Sequence, residues 1–273
     1  MSDVVVLTLR ARLDDPLEVS GVTPDRCAGL SQLEIAALPV WVGARRAALG
    51  DVFDVRGERA ARVEVEGDLA CVHGLGADTA GGELHVRGAA GREAGARMTA
   101  GVVHLHGAAG EDAGQAMGGG VLRIDGHAGD RLGGAAPGAS KGMTGGEIVV
   151  LGAAGASAGG LMRRGLLAVA GSLGPLAGRG MIAGTVLALG PIGDQPGAGN
   201  KRGSIIAGAG ITVPATYRFA CTYEPPHIRM ILTSLRARFG FPADANRLNG
   251  PYDRYCGDAG EPGKGEILVW AGR

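Results

Sequence analysis

The middle of the sequence repeats itself every nineteen residues, and this repeat constrains the fold more than any other feature. Each unit begins with a glycine, continues through a short apolar run and reaches a second glycine six residues later, except that Ala209 takes this place in the last unit. The step is nineteen residues except from Gly120 to Gly146, where it is 26, so that seven more residues enter around the segment "AAPGASK". The opening glycines are Gly82, Gly101, Gly120, Gly146, Gly165, Gly184 and Gly203.

Each unit contains a single strand of about five residues. Its second and fourth positions are always apolar, as in Leu84/Val86 and Val103/Leu105, which is the period-2 pattern of a strand with one buried face. A unit of nineteen residues is too short for most helical repeats and is typical of one rung of a β-solenoid. The sequence therefore predicts an all-β fold, a right-handed parallel β-helix of seven or eight rungs.

Methionine also repeats in phase with these glycines. Five of the seven methionines precede an opening glycine by three residues, and Thr79 and Asn200 take the same position in the end units. A flexible thioether suits an irregular internal gap, so we predict a buried column with a packing role rather than a redox or metal-binding one. The column consists of Met98, Met117, Met143, Met162 and Met181.

The repeat divides the chain into three segments. We expect residues 1–60 to cap the first rung, because an open end of such a stack is an unpaired strand edge. Residues 61–210 form the glycine-rich solenoid. In the C-terminal segment, residues 211–273, apolar positions recur at helical spacing and predict an amphipathic helix over 227–239 that ends at Gly240.

Composition excludes several classes of protein. The chain has 27 basic and 27 acidic residues, so no overall charge directs it to nucleic acid or to anionic lipid. Its apolar runs are too short for a membrane span or a signal peptide. The four cysteines are scattered without a C-x-x-C pair, which is typical of reduced thiols. We expect a cytoplasmic protein.

The outward strand positions change character along the repeat. They are polar in the units that begin at Gly82, Gly101 and Gly120, and apolar in the later ones. Stacked apolar side chains indicate a covered surface, and either the C-terminal helix or a partner protein is expected there. The residues predicted to form this interface are Val149, Leu151, Leu166, Leu187 and Leu189.

The sequence offers little catalytic chemistry. His85 and His104 take the same outward position on adjacent units, with His106 two residues further on, and such a group could in principle hold zinc. Arg123 continues the column, however, and a cation is unexpected beside a metal ion. The glycine-rich turns lack a G-x-x-x-x-G-K-[ST] motif. We therefore predict no catalytic residue and no metal ligand in this chain.

The repeat resembles a known family. The unit G-x-x-M-x-x-G-x-[IL]-x-[IV]-x-G is similar to the tandem repeat of the C subunit of formylmethanofuran dehydrogenase. It is complete in 114–126 and 159–171, and 95–107 and 178–190 differ from it only by other apolar residues at the two strand positions. The same subunit family occurs in the bacterial formyltransferase/hydrolase complex, and its β-helix is similar to the C-terminal domain of glutamate synthase. The lead-in "LPVWVGARRAALGDVFDVRG" also resembles the family.

This resemblance implies a non-catalytic scaffold subunit. Its partners would be a subunit that moves formyl from formyl-tetrahydromethanopterin to methanofuran and a metal-containing subunit that hydrolyses formylmethanofuran to formate, a step of formaldehyde oxidation in one-carbon metabolism. The alternative is the C subunit of an archaeal tungsten or molybdenum formylmethanofuran dehydrogenase; the Ala/Arg/Gly-rich composition favours the bacterial complex. A separate β-helix enzyme or glycan-binding protein is a further alternative. The absence of Phe, Trp and Tyr from 82–208 argues against glycan binding.

The resemblance also suggests a contact between this chain and the carrier. Methanofuran-type carriers have glutamate-rich tails, so a row of cations could guide a tail between two active sites. The alternative is a solvated basic corner. No cofactor is expected to be bound permanently by this chain. The candidate residues, called the basic row below, are Arg163, Arg164, Arg179, Lys201 and Arg202.

Overall fold

A computed structural model describes residues 4–11 and 15–272 of the chain. The largest element is a 13-stranded sheet, and a second, four-stranded sheet has the order β4-β3-β2-β7. The strands of the large sheet, in spatial order, are β15 (Arg218–Tyr223), β16 (Tyr252–Gly257), β17 (Gly265–Trp270), β14 (Ser204–Ala207), β13 (Thr185–Ala188), β12 (Leu166–Val169), β11 (Glu147–Val150), β10 (Val121–Ile124), β9 (Ala100–Leu105), β8 (Ala80–Arg87), β6 (Arg62–Glu66), β1 (Val5–Leu9) and β5 (Phe53–Arg56).

The remaining elements are short, apart from one helix. The four-stranded sheet comprises β2 (Leu17–Glu18), β3 (Pro39–Val42), β4 (Arg45–Ala48) and β7 (Val72–His73). The helices are α1 (Pro24–Cys27), α2 (Gln32–Ala36), α3 (Leu49–Val52), α4 (Pro226–Phe239) and α5 (Ala245–Asn249). Among the described residues, none of these helices has the length and apolar content needed to cross a lipid bilayer.

The predicted right-handed parallel β-helix is wrong. The structure has one large, mainly parallel sheet and a separate small sheet instead of a closed stack of rungs. Each repeat contributes one short strand, while the rest of the unit is turns joined to the next unit by single bridges such as Ala109 to Ala128. Antiparallel strands from outside the repeat extend the sheet at both ends, β5 beside β1 and β15 beside β16. The helices also contradict an all-β description.

In neighbouring parallel strands of the repeat, outside the seven-residue insertion, residues nineteen positions apart in the sequence lie opposite each other. Leu167 lies opposite Val186, and Val186 lies opposite Ile205. The second and fourth residues of these strands therefore stack in continuous columns on one face, where they are almost completely buried. This face, together with the methionine column, forms the main hydrophobic core.

Methionine and glycine repeat together because they touch between units. All five methionines of the column are fully buried. A Cβ placed on Gly146 would lie 2.7 Å from the methyl carbon of Met117, and one on Gly165 would lie 2.7 Å from that of Met143. It would also lie 2.7 Å from the carbonyl oxygen of the preceding opening glycine, and φ is +83° at Gly146 and +100° at Gly165. Any residue with a side chain is therefore excluded there by sterics and by backbone conformation.

The two ends of the column have polar side chains. Thr79 is fully buried and donates its hydroxyl to the Gly76 carbonyl at 2.7 Å. Asn200 is also fully buried, accepts from the Gly203 amide at 2.7 Å and donates to the Gly203 carbonyl at 2.8 Å. Where the stack of methionines ends, these side chains therefore form hydrogen bonds with backbone groups of their own unit.

The second face of the large sheet is covered over part of its length. From β11 to β14 the outward residues are buried as well, and they form a second core with Ile228, Leu232 and Leu235 of α4. Arg238 of α4 pairs with Glu147 on β11 at 2.7 Å. The helix ends at Gly240, which adopts φ +67° and donates its amide to the Arg236 carbonyl.

We expect Met117→Ala to lower the free energy of unfolding by about 2–5 kcal/mol, because it leaves a cavity under a glycine that cannot move inward. The matched control is Met230→Ala, since Met230 lies on α4 and is 72% exposed. The control should change stability by less than about 0.5 kcal/mol. Chemical denaturation followed by circular dichroism measures both, and equal effects would refute a packing role for the column.

Candidate functional site

A cleft of about 630 Å³ lies beside the seven-residue insertion. One wall is the inserted segment from Gly134 to Ser140. The other walls are turns of the following repeats, including Ser157, Leu161 and Ile182. The lining also holds the cations Arg131, Arg179 and Lys201 and one carboxylate, Glu261.

The inserted residues protrude as a wall because a backbone hydrogen bond joins the chain on either side of them. The Met143 amide donates to the Gly133 carbonyl at 3.0 Å, so the chain leaves and rejoins the regular stack at neighbouring points. Met143 is fully buried in the methionine column. The extra residues are thereby displaced outward instead of shifting the strand register, since Val121 still lies opposite Glu147 across the insertion.

The basic row lies along the same edge, but only part of it lines the cleft. Arg163 and Lys201 each follow a column position, and their amides donate to the methionine carbonyl of the previous unit at 2.8 Å. Ile182 has the same position in the unit between them. At about 4.8 Å per strand, Arg163 and Lys201 are roughly 10 Å apart. Arg179 and Lys201 line the cleft, whereas the other three residues of the row do not.

Most residues of the basic row form no ion pair with a carboxylate among the described residues. Lys201 has one long contact, 3.9 Å to Glu261. Within residues 4–11 and 15–272, no carboxylate lies at ion-pair distance from the other four members of the row. All five residues are exposed. The arrangement can therefore hold anionic groups along an edge, but it provides no nucleophile or proton-transfer pair.

Arg131 is a different kind of cation, because its charge is already neutralised. It donates two hydrogen bonds to Asp112, both at 2.7 Å, and one to Glu111 at 2.7 Å. Asp112 is nearly buried; burial alone would raise its pKa, but the hydrogen bonds and charge of Arg131 hold that pKa below its ordinary value. The same contacts raise the pKa of Arg131. This cluster holds Arg131, which lines the cleft, against the turn of the preceding unit.

The residues predicted to form an interface lie under α4. Val149, Leu187 and Leu189 are buried in the second core, and Leu151 and Leu166 are partly buried against it. Of the two coverings that the sequence left open, the structure supplies the C-terminal helix. These positions contribute to the folding of the chain itself.

Sequence reasoning did not find the cleft or its acidic partners. Arg131 and Asp112 are nineteen residues apart, one repeat, so they stack on neighbouring units. Asp78 and Arg97 show the same spacing and the same paired contact. Opposite charges nineteen residues apart in the sequence could therefore have predicted these ion pairs. The approach of Glu261, by contrast, depends on how the C-terminal segment folds back.

The Asp112–Arg131 pair should make stability depend on acidity. Because the pKa of Asp112 is lower in the folded chain, its contribution is fully present above about pH 4, its ordinary value, and is lost as the pH falls further. We expect Asp112→Asn to lower the free energy of unfolding by about 1–3 kcal/mol at pH 7. The loss of stability on acidification below pH 4 should also become shallower, which denaturation at a series of pH values measures.

The control for this change is Asp78→Asn. Asp78 has φ +64° against +61° for Asp112, and it also pairs with an arginine one repeat away, but its side chain is 48% exposed against 7%. An exposed pair is worth at most about 1 kcal/mol. If both variants lose the same stability, burial of Asp112 is not the source of its effect.

Comparison with known proteins places the chain in a family. No family model matches the chain. The crystal structure of the formyltransferase/hydrolase complex (FhcABCD) from Methylorubrum extorquens with methylofuran contains a chain that superposes with a TM-score of 0.89. The two chains are 37% identical, and the match covers 97% of this chain and 99% of that one.

Curated relatives match part of the chain. The C subunit of the formyltransferase/hydrolase complex of M. extorquens is 38% identical over 86 residues, 32% of each protein. The C subunit of the molybdenum-containing formylmethanofuran dehydrogenase 1 of Methanosarcina barkeri is 33% identical over 96 residues, 33% of this chain and 32% of that one. The chain thus matches about a third of the length of these curated relatives.

The chain is thus similar to subunits of two kinds of complex, the formyltransferase/hydrolase complex and the formylmethanofuran dehydrogenases. The chain belongs to the family of the C subunit of the formyltransferase/hydrolase complex, and the resemblance seen in the sequence is confirmed. The C subunits of the formylmethanofuran dehydrogenases are related to this family.

Proposed function

We propose that the chain is the non-catalytic scaffold subunit of a cytoplasmic formyltransferase/hydrolase complex. The observation that carries the proposal is the superposition with a chain of such a complex over 97% of this chain at 37% identity. In this role the chain binds the formyltransferase and hydrolase subunits. Those subunits move formyl from formyl-tetrahydromethanopterin to a methanofuran-type carrier and release formate.

The related dehydrogenases give a second candidate. Tungsten- and molybdenum-containing formylmethanofuran dehydrogenases of methanogens have C subunits that are 33% identical over about a third of this chain. Two observations favour the hydrolase complex: the whole-length structural match and the higher identity of its C subunit. Identifying the proteins that co-purify with the untagged chain distinguishes a hydrolase partner from a tungsten or molybdenum protein.

A scaffold can be tested by omission. Without this chain, the formyltransferase and hydrolase subunits should keep their separate half-reactions but lose most of the coupled conversion of formyl-tetrahydromethanopterin to formate. Adding the purified chain should restore both assembly, measured by light scattering, and coupled turnover. Formate release by the isolated chain would contradict a non-catalytic role, and full coupled turnover in its absence would contradict the scaffold.

We further propose that the basic row holds the anionic tail of the carrier. The row is exposed, is largely free of carboxylate partners, and extends over repeats spaced by about 4.8 Å. Guanidinium groups bind carboxylates through paired hydrogen bonds, and a row of them can hold a flexible tail in several positions. The cleft, which Arg179 and Lys201 line, offers room beside the row for part of the tail.

Neutralising the basic row should impair only carriers with a charged tail. All five residues are changed to glutamine, and formate release by the complex is measured with long-tailed and tail-free carriers. The rate with the long-tailed carrier should fall several-fold, most at low ionic strength, where charges are screened least. The tail-free carrier should be converted at the unchanged rate.

The control removes equal charge from a different surface. The exposed arginines for it lie on β4, β15 and α4: Arg45, Arg46, Arg218, Arg229 and Arg236. Their replacement by glutamine should leave both carriers unaffected. A solvated corner without a binding role predicts equal rates for both carriers in both variants, and that result would exclude the tail site.

A further inference from the structure

Three histidines meet on the uncovered part of the large sheet. His85 lies on β8, His104 lies on β9 and His106 directly follows β9; His85 is opposite His104 in the strand register. The ring centroids are 3.9 Å apart for His104 and His106, and 5.5 and 5.7 Å from His85 to the other two. One nitrogen of each ring lies within 4.8 Å of those of the other two.

A carboxylate and its own counter-ion stand beside this histidine cluster. Asp125 Oδ2 is 2.8 Å from His104 Nε2 and 3.6 Å from His106 Nδ1. Arg123 donates from Nε to the other oxygen of Asp125 at 2.7 Å. The charge of Arg123, which argued against a metal ion in the sequence, is therefore directed to Asp125. Each histidine keeps a second ring nitrogen that can serve as ligand or donor.

Burial favours the neutral form of two of the three imidazoles, those of His104 and His106. Burial, which outweighs the opposing effect of Asp125, lowers the pKa of His104 below its ordinary value. Burial and the neighbouring His104 likewise lower the pKa of His106.

The cluster is also accessible. The side chains of His85, His104 and His106 are 18%, 15% and 31% exposed. Helix α4 covers the same face only from β11 onward, where the outward residues are apolar. An ion can thus reach the rings from solvent.

We propose that His85, His104 and His106 form a binding site for a divalent transition-metal ion, with zinc as the best fit. Three imidazoles with a nearby carboxylate or water are a common tetrahedral zinc ligand set. Zn–N bonds of about 2.05 Å require nitrogens roughly 3.3 Å apart, so the rings must close by about 1.5 Å at most, which side-chain rotation supplies. Asp125 either completes the set or orients His104 as a hydrogen-bond acceptor.

The test is the zinc content and zinc affinity of the full-length chain, prepared without a histidine tag. After dialysis against metal-free buffer and addition of zinc, mass spectrometry of the eluted metal should show one zinc per chain. The variant His85→Gln/His104→Gln/His106→Gln should retain only background zinc. Asp125→Asn should weaken zinc affinity by about 10- to 100-fold, as expected for a residue that orients or completes a ligand set.

The control is His227→Gln, because His227 is an exposed histidine on α4, far from the cluster in sequence and on a separate element. It should bind zinc like the unchanged chain. Circular dichroism of all variants verifies that they fold, and anomalous diffraction at the zinc edge locates the ion in crystals grown with zinc. Equal zinc affinity in the triple variant and the unchanged chain, or anomalous signal away from the cluster, would overturn the proposal.

Discussion

The contact between a methionine methyl group and the opening glycine of the next repeat determines how the repeats stack. A Cβ on that glycine would lie 2.7 Å from the methyl carbon of Met117 or Met143, and at 3.0 Å or less in each of the other units, so neither partner can change alone. A long unbranched side chain reaches under the next unit, and only glycine leaves room for it. Repetition of this contact fixes a constant register over the parallel strands from β9 to β14.

The constant register gives the two faces of the sheet their separate roles. One face is the main core along the whole repeat. The other is covered by α4 from β11 to β14 and is open from β8 to β10. An amphipathic helix of fourteen residues covers only a few strands, so the uncovered strands must carry polar side chains. The histidine cluster and Asp125 lie in that uncovered region.

The cleft arises from a single departure from the repeat. The seven extra residues between Gly120 and Gly146 leave the strand register unchanged because the Met143 amide bonds to the Gly133 carbonyl. The displaced loop forms a wall beside the turns of the following repeats. Arg131, which is paired with Asp112, and Arg179 and Lys201, which have few or no carboxylate partners, line the same cavity. A regular stack thus acquires a binding surface where its period is interrupted.

The sequence alone determined the repeat, the strand positions, the alternation of buried residues and the family, because each of these is a local pattern repeated many times. It did not determine the architecture: the apolar pairs of each unit specify one strand, and whether such strands close into a helix or spread as a sheet depends on contacts between units. The covering of Val149 and Leu187 by α4 and the approach of Glu261 to Lys201 join segments far apart in the chain. The environment of His85, His104 and His106 also needed the structure. The sequence placed the cation Arg123 beside these histidines, but it did not reveal that Arg123 forms an ion pair with Asp125. Such contacts depend on side-chain positions in space, and only the tertiary structure decides them.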